Sequence, residues 1–179
     1  ITVSIMALIV VISTISNAAS VGMSLSSNSK LKAGDTVTVT MSSGNIDAGN
    51  GIDTITAELN YDKNVFETVE TSNLIASNSW TPTYASSTNM LTVLKNSKVT
   101  KGETVLTITL KVKSTLSVKS TTVTLKDIVV SGGRVQDGGT GDISVNNASV
   151  TINADSDAIS KNENTISNTT TTTNTTTNT

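Results

Sequence analysis

The 179-residue sequence predicts an all-β sandwich of nine strands. Three observations predict it. Thr, Ser, Asn and Val dominate the chain, a mixture that favours strands joined by polar turns. Several runs alternate apolar and polar residues with a period of two, as a sheet with one wet face requires. Glycine- and Asp/Asn-rich turn signals recur at short intervals, and no helix-period stretch outlasts a single turn.

The elements follow in order. Residues 21–26 open the domain as a first strand, and residues 36–42 form a second, with Val37, Val39 and Met41 inward and Thr36, Thr38 and Thr40 outward. Residues 54–61 form a third, with Ile55, Ala57, Leu59 and Tyr61 on the core side and Thr56, Glu58 and Asn60 on the wet side. Asp62 stops that strand, because its carboxylate accepts backbone N–H bonds from the residues just ahead. Val65 and Phe66 return apolar surface to the core at the head of a strand over 65–71. Strands over 80–84 and 90–94 follow. In the strand over 104–112, Leu106, Ile108, Leu110 and Val112 alternate with Thr107, Thr109 and Lys111. In the strand over 121–130 the inward set changes parity between Leu125 and Ile128, which places a β-bulge at Lys126–Asp127. A last strand spans 148–152. The turns fall at Ala33-Gly34-Asp35, between Gly44 and Gly51, at Lys101-Gly102-Glu103 and at Gly132-Gly133.

Two flanks lie outside the sandwich, which is assigned to residues 21–153. Residues 1–20 are an apolar run followed by small residues around Ser16, Ala18 and Ala19, the pattern of a secretory signal. Neither a basic n-region nor an initiator Met precedes it, so the sequence is expected to be a fragment or N-terminally clipped. A membrane anchor is the weaker reading, because the run turns polar before the roughly 20 apolar residues a span needs. A pilin-type assembly helix is also weaker, since the acidic residue usual near its start is absent. Residues 154–179 dissolve into Ser, Asp, Asn and Thr and are expected to be a disordered linker. The chain is therefore expected to be one secreted module of a cell-surface protein, its only membrane connection the export signal or an anchor beyond Thr179.

Composition narrows the function. Twelve Lys+Arg against fourteen Asp+Glu leave a formal charge of −2, and only 2% of residues are aromatic. A nucleic-acid partner is excluded on both counts, as phosphate needs a basic surface and bases need stacking platforms. With no Cys and no His, disulfides, thiolate or imidazole metal sites and the common nucleophile–base pairs are ruled out. No catalytic constellation emerges, so the chain is not expected to be an enzyme. Carboxylates at Glu58, Asp62, Glu67, Asp127 and Asp142 lack the aromatic walls that a sugar cleft usually has.

Two loops invite a ligand. Asp47, Asn50 and Asp53 form a small oxygen-rich loop that resembles a Ca²⁺ site, but Ca²⁺ takes six to eight oxygens and a tight turn is the preferred reading. No cofactor is therefore expected. The glycine-rich stretch from Ser131 to Asp142 resembles a phosphate cradle, yet no helix opens after it, and a mobile loop is preferred. Trp80 stands alone in polar sequence, where core filling outweighs partner contact; Tyr84 shares its parity.

Gly34-Asp35-Thr36-Val37-Thr38-Val39, Gly51-Ile52 leading to Leu59-Asn60-Tyr61-Asp62-Lys63-Asn64-Val65-Phe66-Glu67, the run from Gly102 to Lys113, and Val145-Asn146-Asn147-Ala148-Ser149-Val150-Thr151-Ile152 together resemble the cohesin family. The resemblance implies a nine-stranded jelly-roll sandwich close to carbohydrate-binding modules. It implies a non-catalytic interaction module whose partner is a dockerin on a polysaccharide-degrading enzyme, assembled into a cellulosome. It assigns the partner-binding face to Thr54, Thr56, Glu58 and Asn60 with neighbours from residues 90–94, and the structural turn to Tyr61, Asp62 and Phe66. Two departures stand out. Lys63 replaces a proline common in the family, and Thr54 and Thr56 occupy positions where many dockerin-binding cohesins carry an Asn/Asp pair. Two alternatives stay open: a carbohydrate-binding module, which needs an exposed aromatic strip, and a structural spacer or filament subunit.

Overall fold

A computed structural model describes residues 19–156. The predicted export signal and most of the predicted linker therefore lie outside the described residues, as does the apolar segment on which the filament alternative rests. Ten strands form two antiparallel sheets that face each other: β1 (Ser20–Ser26), β2 (Thr36–Asp47), β3 (Ile52–Asn60), β4 (Leu74–Ala76), β5 (Thr81–Ala85), β6 (Met90–Val99), β7 (Thr104–Lys111), β8 (Ser120–Ser131), β9 (Asp142–Val145) and β10 (Ala148–Asn153). The four-stranded sheet runs β1-β2-β7-β4. The six-stranded sheet runs β10-β8-β3-β6-β5, with β9 also paired to β8.

The inward residues are those the alternation selects. Val37, Val39 and Met41 from β2, Ile55, Ala57 and Leu59 from β3, and Ile108 and Leu110 from β7 are all shut off from solvent. The β8 bulge lies at the predicted place. Thr56 pairs with Val129 and Glu58 with Lys126, so Asp127 and Ile128 together oppose Ala57. Asp127 takes a left-handed φ of 48°, and its N–H is capped by the Asn147 side-chain oxygen at 3.3 Å. The extra residue resets the parity, so Val123, Leu125, Ile128 and Val130 all point inward.

The structure departs from the expected elements in several places, and β2 and β6 also run on to Asp47 and Val99. Residues 65–71 are not a strand. The chain turns at Asp62, whose backbone carbonyl accepts from the N–H groups of Val65 (3.1 Å) and Phe66 (2.9 Å). The Asp62 carboxylate accepts from Asn64 N–H at 2.8 Å. Beyond this turn a single bridge forms, Phe66 opposite Val112, with Glu67 N–H donating to Lys111 O and Lys113 N–H to Val65 O, both at 2.9 Å. Two short strands, β4 and β9, form where no strand is expected. The glycine-rich loop expected to be mobile holds a 3-10 turn over Val135–Asp137 and several backbone hydrogen bonds.

Leu31, in the β1–β2 connection, is fully buried and closes one end of the core. Its N–H donates to Asn153 O at 2.9 Å, and its carbonyl accepts from Asp155 N–H at 3.0 Å. The sandwich's hydrogen bonding thus runs to Asp155, two residues into the segment assigned to the linker.

Candidate functional site

Strand β3 sits at the centre of the six-stranded sheet, flanked by β8 and β6. Its outward residues Thr54, Thr56, Glu58 and Asn60 are all half-exposed and lie in one line. Register extends the line sideways into a surface. Thr54 lies between Leu94 and Ser131, Thr56 between Thr92 and Val129, and Glu58 between Met90 and Lys126, while Asn60 opposes Thr124. Thr83 of β5 continues the Thr92 row. Leu94 and Met90 are 48% and 40% exposed, an unusual investment of apolar area on the wet side of a strand.

Much of the polar decoration is internally satisfied. Asn60 donates its amide to Glu58 Oε1 at 3.2 Å, and the Thr56 hydroxyl donates to the Val129 carbonyl at 3.4 Å. The Thr54 hydroxyl donates to Asp53 Oδ1 at 3.0 Å. Asp53 Oδ2 lies 3.9 Å from Lys98 Nζ. A carboxylate therefore stands at the border of the face even though Thr54 and Thr56 carry none. The sequence assigns Asp53 to the oxygen-rich loop with Asp47 and Asn50, where a tight turn is the preferred reading. The signal available was its position next to Thr54 at the start of the strand.

Two of the three side chains that the loop offers to a cation have other partners. Asn50 turns its amide nitrogen to the Gly138 carbonyl, and Asp53 is engaged by Thr54 and Lys98. Gly51, at φ 71°, closes a tight turn by donating to Ala48 O at 2.6 Å, as a glycine-dependent turn should. Among the described residues no three or more of Asp, Glu, His and Cys gather in a cluster able to hold a metal ion.

The aromatic residues face inward. Trp80 is 2% exposed, with its Nε1–H donating to Glu103 Oε1 at 2.6 Å. Lys95 Nζ contacts the same oxygen at 2.6 Å and lies 5.5 Å from the indole centroid. Tyr61, Phe66 and Tyr84 are buried as well. Burial, followed by the neighbouring Tyr61 phenol, pushes the Tyr84 hydroxyl well above the ordinary tyrosine range. The exposed aromatic strip that carbohydrate binding requires is missing, and that alternative loses its basis. Tyr61 places its hydroxyl under the Val69 N–H at 3.0 Å, and together with Phe66 it joins the Asp62 turn to the core.

A family model for the cohesin domain matches residues 21–153. The chain belongs to the cohesin family. Solved cohesin structures share its fold at low sequence identity. The cohesin module of a family 33 glycoside hydrolase from Clostridium perfringens superposes with a TM-score of 0.63 at 10% identity, covering 76% of this chain and 98% of that one. The seventh ScaB type I cohesin of Pseudobacteroides cellulosolvens gives 0.55 at 19%, covering 75% and 94%. A type I cohesin solved in complex with a dockerin from Clostridium thermocellum gives 0.54 at 16%, covering 74% and 98%. No curated protein sequence matches the chain. In this cohesin the outer β8-β3-β6-β5 face presents the half-exposed line Thr54, Thr56, Glu58 and Asn60 between the neighbouring strands.

Proposed function

We propose that this cohesin is an extracellular, non-catalytic docking module that holds a dockerin-type protein partner on the outer face of its six-stranded sheet. The observation that carries the reading is the central line Thr54, Thr56, Glu58 and Asn60, flanked by the exposed apolar side chains of Met90 and Leu94. A rigid sheet with a few apolar side chains set among neutral hydroxyls loses little entropy on binding, and its apolar centre supplies the driving force. Membership of the cohesin family supports a protein partner, and the polysaccharide-degrading context of dockerins makes a surface or scaffolding protein the setting. Thr54 and Thr56 are neutral, so the partner's contacts there are hydroxyl-mediated and apolar, while Glu58 beside Lys126 supplies the charged groups of the face.

Calorimetry against a panel of dockerin modules tests the reading. Binding by at least one member is expected. Thr56→Arg, which places a cation in the middle of the face, is expected to reduce it more than tenfold, about 1.4 kcal/mol, without lowering the melting temperature. Uniform failure to bind any dockerin would reduce the module to surface architecture.

A further inference from the structure

The face ends at Thr54 and Ser131, and there the glycine-rich β8–β9 loop rises. Its base touches the face through a short chain of contacts. Thr54 bonds Asp53, Asp53 lies 3.9 Å from Lys98, and the Lys98 ammonium stands 3.3 Å from where a Cβ on Gly133 would be. The loop is a built object. Gly139 N–H donates to Arg134 O and Gly141 N–H to Gly133 O, both at 2.8 Å, and Gly138 N–H donates to Val135 O at 3.0 Å. The loop is also fastened to the β2–β3 turn, with the Thr140 hydroxyl on Gly51 O at 2.6 Å and the Asn50 amide on Gly138 O. The backbones meet so closely that a Cβ on Gly132 would lie 1.9 Å from Gly51 O, and one on Gly139 2.4 Å from Gly133 C.

At the tip of this fastened loop stand Arg134 and Val135. Val135 is 71% exposed, more than any other large apolar residue among those described. Arg134, the one arginine of the sequence, is exposed and makes no ion pair among the described residues. Loop tips usually carry small polar residues, because an exposed branched side chain gains nothing from water. Here an apolar side chain and an unpaired guanidinium are held out side by side on a backbone with little freedom left to lose.

We propose that residues 132–141 form a rigid specificity element of the docking surface, in which Val135 inserts into an apolar pocket of the partner and Arg134 pairs with a carboxylate beside that pocket. The partner's recognition patch is accordingly a carboxylate next to aliphatic side chains, complementary to the tip in charge and shape. Arginine suits this role, as its fork binds a carboxylate bidentately and is over-represented among residues that dominate interface energetics. The preformed loop keeps the ordering cost of binding low. The inference rests on the docking reading above and adds an unpaired cation to a face whose own charges, Glu58 and Lys126, stand side by side.

Calorimetry with the dockerin panel separates the two. The double variant Arg134→Ala, Val135→Ser is expected to weaken the strongest complex at least tenfold and to lower its salt dependence, with the melting temperature unchanged. Arg134→Lys is expected to recover only part of the loss. If the double variant binds like the parent while Thr56→Arg does not, the loop proposal falls and the docking face stands. If no dockerin binds, both fall. If sedimentation shows that the parent self-associates and the double variant does not, the tip is a contact between copies and the proposal is overturned.

Discussion

Tyr61 carries a hydroxyl into the core and uses it to accept the buried Val69 N–H at 3.0 Å. That bond ties the segment after the Asp62 turn to the end of β3, where the Phe66–Val112 bridge is the one strand-like pairing of residues 65–71. Tyr61→Phe keeps the ring and orphans the donor, so it is expected to cost about 1–3 kcal/mol, read as a lower denaturation midpoint with an unchanged slope. Tyr84 makes a different prediction. Its hydroxyl donates to Asn89 Oδ1 at 3.3 Å, and burial keeps it protonated in the folded state well beyond the ordinary tyrosine value of 10.0. A raised folded pKa means that its contribution is intact below about pH 10 and drains away as pH rises above that value, where the unfolded chain releases the proton first. In an alkaline titration followed at 295 nm, Tyr84 is expected to ionise together with unfolding, and Tyr84→Phe to flatten the alkaline loss of stability. The inward position of Tyr61 was legible because it continues the parity of Ile55, Ala57 and Leu59, and that of Phe66 because it is a large apolar residue just after the turn. The hydroxyl's partner was not, because Val69 belongs to a segment whose irregular path no period of two describes.

At the scale of elements, the loops at one end of the sandwich are packed backbone to backbone through glycine. Gly132→Ala would force a Cβ to 1.9 Å from Gly51 O, while Gly49, in the same β2–β3 turn region, has open space around its Cβ position. The first substitution is expected to destabilise by about 1–3 kcal/mol through overpacking. The second is expected to be neutral or to stabilise by up to about 1 kcal/mol. Thermal melts of the pair check both. The edge strand β5 is closed by other means. Tyr84 N–H donates to the Thr71 hydroxyl at 3.1 Å, and that hydroxyl donates back to the Tyr84 carbonyl at 3.2 Å. By alternation Pro82 also faces the free edge, where it has no N–H to offer. An edge without free donors does not invite a further strand. The long strands and the β8 bulge were readable from alternation because their faces bury differently. β4 was not, with three residues of which only Leu74 is buried. β9 alternates but sits directly behind a glycine loop, and there the turn signal outweighed four residues of pattern.

The whole molecule is a sandwich with no disulfide and no metal-binding cluster among its described residues, so its stability rests on one continuous apolar core. The family resemblance legible in the turn from Leu59 to Glu67 agrees with the match over residues 21–153. The line of half-exposed residues on β3 was equally legible. The border of that face was not. Asp53, Lys98 and the β8–β9 loop come together only through the closure of the sheet, which brings residues some eighty positions apart into contact, and no local pattern encodes that. A single core also implies a single cooperative transition, with far-UV dichroism and tryptophan fluorescence expected to share one midpoint.

The environment of Trp80 gives that fluorescence a particular meaning. The indole is sealed from water beside the ion pair of Lys95 and Glu103, and none of the chain's other aromatic rings reaches the outer faces. The protein therefore carries its own optical gauge, wired to the integrity of the sandwich rather than to the occupancy of its surface. Emission should shift sharply when the sheets separate and hardly at all when something settles on Thr56 or Val135. A partner with its own exposed tryptophan could then be titrated against a quiet background, with the change in signal belonging to the visitor.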